Sequence, residues 1–119
     1  MNQPNEESPA GTVVFLSGDL MFASRVKGAA ERAGLDFVFS GALPAEDTDR
    51  IRFVILDLST RSSLTSELVQ TCGESCPQAK LLAYGPHVQA ARLSAAREAG
   101  IPLVLTRGQF DAKLSSLFD

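Results

Sequence analysis

Phe53-Val54-Ile55-Leu56-Asp57-Leu58 is an almost unbroken apolar run interrupted by one carboxylate. A run with no polar alternation suits a strand covered on both faces, as in a parallel sheet between helix layers. Leu81–Tyr84 (LLAY) repeats the pattern downstream. Upstream, Thr12–Leu16 (TVVFL) is β-branched and aromatic, the composition of a strand. Phe37–Phe39 and Leu103–Leu105 complete a set of five short strands.

The segments between them carry helical spacing. Phe22, Val26, Ala29, Ala30 and Ala33 fall on one helix face, Arg25, Lys27, Glu31 and Arg32 fall opposite, and Gly34 supplies a stop. Leu64, Leu68, Val69 and Cys72 repeat in the same way, and Pro77 bars continuation. Val88–Ala99 is alanine-rich and ends at Gly100, and Phe110, Leu114, Leu117 and Phe118 mark a short last helix. Pro44–Arg50 (PAEDTDR) has no apolar face, so the second helix is expected to be reduced to a turn. Strands alternating with helical segments, joined by right-handed crossovers, predict an α/β, flavodoxin-like three-layer sandwich. Its five-stranded parallel sheet is expected in the order 2-1-3-4-5.

The chain has 119 residues, which fits one domain. Residues 1–11 (MNQPNEESPAG) are polar and without periodicity, so a disordered arm is expected there and the folded domain over 12–119. The composition, 45% hydrophobic and 21% charged, is ordinary for a globular protein. A net charge of −3 argues against nucleic-acid binding. No apolar run approaches the ~18 residues of a membrane span, and the first residues lack the features of a signal peptide. The expectation is a soluble cytoplasmic protein. Cys72 and Cys76 share a helix face at their spacing, in poor geometry for a disulfide, and read as small half-buried apolar residues.

In an open parallel sheet, chemistry gathers beyond the carboxyl ends of the strands. Those ends place Ser17, Gly18 and Asp19 after the first strand, Asp57 to Thr60 after the third, Gly85 to His87 after the fourth and Thr106 to Gly108 after the fifth. Asp57 closes an otherwise apolar strand, where an unpaired carboxylate is expensive. It is either a functional group or a turn carboxylate accepting backbone N–H bonds. His87, in YGPHV, reads as a loop or cap residue. Neither a glycine-rich phosphate loop nor a Gly-x-Ser-x-Gly elbow is present.

From about Thr12 to Phe118 the chain resembles a receiver domain of two-component signalling, in a degenerate form. The resemblance implies that Asp57, in FVILDL, matches the phosphoacceptor. The paired metal-binding acids of that family fall on Ser17 and Gly18, with Asp19 one residue beyond. The strand-4 hydroxyl falls on Gly85, the switch aromatic on Val104, the strand-5 lysine on Arg107 and the proline after it on Gly108. Asp57 and Asp19 would be the only carboxylates for Mg²⁺, which takes one or two when a phosphate supplies other ligands. Asp19 opens a helix, however, where an N-cap role suits it. Arg107 either pairs with Asp57 as a planar fork or stands as a solvated loop arginine.

Residues and resemblance together point to a stand-alone receiver-like module of phosphorelay type. It is expected to be non-enzymatic, acting in trans by contacts with a protein partner or a second copy, with no metal or cofactor required. One alternative is a true receiver phosphorylated on Asp57 with Mg²⁺; another is a small flavodoxin-like enzyme or ligand-binding domain. Arg92, Arg97, Phe110 and Phe118 are candidate interface residues, the competing expectation being that both phenylalanines are buried on the sheet.

Overall fold

The computed structural model describes residues 11–119. Strands β1 (Thr12–Leu16), β2 (Asp36–Ser40), β3 (Ile51–Asp57), β4 (Lys80–Gly85) and β5 (Leu103–Thr106) form one parallel sheet in the order β2-β1-β3-β4-β5. Helices α1 (Leu20–Arg32), α2 (Thr65–Ser75), α3 (Ala90–Glu98) and α4 (Arg107–Lys113) connect them. The expected second helix is a single 3-10 turn, Thr48–Arg50, since its residues offer nothing apolar to bury. The architecture is therefore the flavodoxin-like one expected from the sequence.

Alternation along each strand feeds two cores. Val13, Phe15, Ile55, Leu82 and Tyr84 meet α1 and α4 on one face. Val14, Leu16, Val54, Leu56 and Ala83 meet α2 and α3 on the other. Gly34 ends α1 with φ +79 and Gly100 follows α3 with φ +92, as the stop signals require.

Four expectations are corrected. Of the arm expected over residues 1–11, residues 1–10 lie outside the described residues, but Gly11 belongs to the fold. It is buried, its φ is +104, and its carbonyl accepts from Asp36 N at 2.9 Å. The helix expected from Val88 begins at Ala90, because Pro86 to Gln89 form a turn closed by Gln89 N donating to the Pro86 carbonyl. Phe110 and Phe118 are not exposed anchors: they are 0% and 8% accessible. Phe110 stacks on Tyr84 at 4.4 Å, and Phe118 meets Phe53 edge-on at 4.9 Å. Turns after α4 carry Leu114 and Phe118 back onto the sheet, which a short helix alone could not do. Finally, Cys72 and Cys76 are fully rather than half buried, with Cys76 at the C-cap of α2. Burial pushes the Cys72 thiol up to about 12, and raises that of Cys76 as well.

Candidate functional site at the carboxyl edge of the sheet

Asp57 ends β3 and is 1% exposed, so every lone pair it keeps from water needs a donor. Three donors are in place. Ser17 Oγ donates to Oδ2 at 2.7 Å, Thr60 Oγ1 donates to the same oxygen at 2.9 Å, and Ser59 N donates to Oδ1 at 2.9 Å. Of the two roles open to Asp57, the structure shows the turn carboxylate, accepting N–H and hydroxyl bonds.

Ser17 and Thr60 extend that network outward. Asp19 N donates to Ser17 Oγ at 2.9 Å, and Gly18 N donates to Thr60 Oγ1 at 2.8 Å. The loops after β1 and β3 are thus stitched together through the carboxylate. Sequence reasoning does not single out Thr60 and Ser59 as partners. Their signal is the Asp-Ser-Thr spacing of a carboxylate-centred turn, a pattern common enough to pass unremarked. Arg61 lies over the same loops. A Cβ on Gly18 or on Gly41 would come within 3.4 or 3.3 Å of its guanidinium, so both glycines make room for that side chain.

Asp19 is the N-cap of α1, accepting from Phe22 N at 3.0 Å. Its other oxygen pairs with Arg107 at 3.4 Å. Arg107 therefore does not pair with Asp57. The start of α4 sets it above Phe22, whose ring centroid lies 4.4 Å from the guanidinium carbon, and within reach of Asp19. Arg92 reaches back from α3 to donate to the carbonyls of Leu58 and Ser59, at 3.1 and 3.2 Å. Arg97 and His87 are exposed, His87 in the turn before α3.

Beside Asp57 in register stands Tyr84 on β4. The ring is clasped by Phe15, Phe22 and Phe110, and the residue is 1% exposed. Its hydroxyl has no hydrogen-bond partner among the described residues. Burial, and then the charge of Asp57, push its ionisation well above the ordinary phenol value, while Arg107 pulls the other way. Next along β4 is Gly85, where a Cβ would sit 3.3 Å from Leu58 Cβ and 3.7 Å from Leu93 Cδ2. The position where the family carries a hydroxyl is walled in by packing. Val104, where the family carries its aromatic, is half-buried on β5.

Strand order and helix placement are those of the flavodoxin-like fold in its receiver-type topology. Solved structures agree. A response regulator from Thermotoga maritima superposes with a TM-score of 0.64 at 17% identity, covering 90% of this chain and 98% of that one. A CheY-like protein from Pseudomonas aeruginosa gives 0.67 at 22% identity over 90% and 95%. A response regulator from Burkholderia pseudomallei, solved with a phosphorylated aspartic acid and a calcium ion, gives 0.64 at 18% over 91% and 68%. No protein-family model and no curated protein matches the sequence. Among the described residues no helix is long and apolar enough to cross a membrane.

Proposed function

We propose that this chain is a receiver-like signalling module that works by contact with partner proteins and without Mg²⁺-dependent phosphorylation. The observation that carries the reading is the neutral saturation of Asp57 by Ser17 Oγ, Thr60 Oγ1 and Ser59 N. In a phosphorylating receiver a cation offsets the negative charge that gathers on the acceptor and the incoming phosphoryl group. Here two hydroxyls stand against the carboxylate, and the one other nearby acid among the described residues, Asp19, is committed to the α1 N-terminus and to Arg107. Mg²⁺ demands near-octahedral oxygen ligation and gives up its water reluctantly. The residues at this edge do not fit it. Arg107, the family's lysine position, is held over Phe22 rather than over Asp57.

Intact mass spectrometry after incubation with acetyl phosphate and Mg²⁺ tests this. The expected result is an unchanged mass. Gain of one phosphoryl group on the native chain, lost in Asp57→Asn, would overturn the proposal in favour of a phosphorylated receiver.

A further inference from the structure

We infer that the outer edge of β2 is the contact between two copies of this chain, paired antiparallel about a two-fold axis at Val38. Among the described residues β2 is the terminal strand of the sheet, bonded on one side to β1 alone. Asp36 N donates to the Gly11 carbonyl at 2.9 Å, and Ser17 N donates to the Ser40 carbonyl at 3.1 Å. The even-numbered residues of β2 therefore turn their backbone groups inward. By strand alternation the N–H and C=O groups of Phe37 and Phe39 face outward.

Those four groups have the spacing that self-pairing needs. With Val38 on the axis, Phe37 lies opposite the second copy's Phe39, and the two residues exchange both bonds as a narrow antiparallel pair. The symmetry-related pair repeats this, so all four groups of each edge are satisfied. Asp36, already balanced by Arg50 at 3.2 Å, falls opposite a neutral serine, so no like charges oppose each other along the strand. Of the usual protections of an edge, Asp-Phe-Val-Phe-Ser has only its shortness and the Asp36 charge: it carries no lysine, no proline and no bulge.

Side chains add an apolar margin. Leu20, Ala23, Ser24, Lys27, Phe37 and Phe39 line a groove between α1 and the edge strand. Leu20, at one end of it, is 73% exposed. Antiparallel pairing brings the second copy's Phe39 beside the Phe37 end of this groove. The surface is isologous: each copy offers the same strand and the same groove, which closes at two subunits.

Sedimentation and amide exchange on the whole chain test the inference, independently of whether Asp57 is phosphorylated. Expected is a species of twice 12.7 kDa that forms as concentration rises from micromolar to sub-millimolar, with protection of the Phe37 and Phe39 amides rising in step. Phe39→Lys should weaken association at least about tenfold, a lysine on the edge being a natural block to strand pairing. Leu20→Lys, on a groove residue too exposed to threaten folding, should weaken it less. A monomer at every concentration would overturn the inference. So would a dimer that Leu103→Lys on the opposite edge disrupts and Phe39→Lys does not. Concentration-independent protection of both amides in a monomer would also overturn it, by showing that the chain covers its own edge.

Discussion

Asp57 and Tyr84 face each other in register on neighbouring strands, both 1% exposed, yet the molecule treats their polar atoms in opposite ways. On the β1–β3 side the carboxylate is met by three donors from two loops. On the β4–β5 side a hydroxyl is enclosed by aromatic rings and left without a partner among the described residues. The buried carboxylate is thus held by polar contacts, and the buried phenol beside it by ring packing. Burial by itself does not say what a polar group contributes; the sign depends on whether donors and acceptors balance.

Removing each group should therefore move stability in opposite directions. Asp57→Ala takes the acceptor from Ser17, which is itself buried, and from Thr60. We expect a loss of about 2 kcal/mol in urea unfolding, read as a lower midpoint with an unchanged slope. Tyr84→Phe removes a hydroxyl that has lost its water and keeps at most a weak interaction with Ser17, while preserving the stack on Phe110. It should raise stability by about 1 kcal/mol. If Tyr84→Phe destabilises instead, an ordered water satisfies the hydroxyl and the contrast between the two groups disappears. The smallest effect is expected from Arg107→Ala. Its pair with Asp19 is 45% exposed on the arginine side, so solvent screening leaves well under about 1 kcal/mol, and raising salt should shrink the difference further.

The layers of this fold were legible because hydrophobic period carries them. The apolar runs at Phe53–Leu58 and Leu81–Tyr84 can only be doubly covered strands, and Gly34 and Gly100 stop their helices through local backbone freedom. Asp57 was visible for the same reason, as the one charge in such a run. The capping role of Asp19 was also readable, being a contact across three residues. What escaped depends on distance along the chain. The Ser17–Asp57 bond spans 40 residues and the Arg107–Asp19 pair spans 88, and no local pattern prefers these partners over others. Phe110 and Phe118 were misplaced as interface candidates because the path of the chain after α4 decides their burial, and a seven-residue helix does not reveal that path.

The packing around Gly85 has a consequence for any attempt to place a hydroxyl at the end of β4. An acid at position 18 meets the movable Arg61 guanidinium, whereas one at position 17 replaces a buried hydroxyl that donates to Asp57. A hydroxyl on β4 is a different kind of change. Even the first carbon of a serine or threonine would press on Leu58, which is wholly buried between β3 and α3 and is backed by Leu93. A side chain at position 85 therefore requires Leu58 to give by a few tenths of an ångström, and whether the core around it can do so sets the sign of the effect on stability.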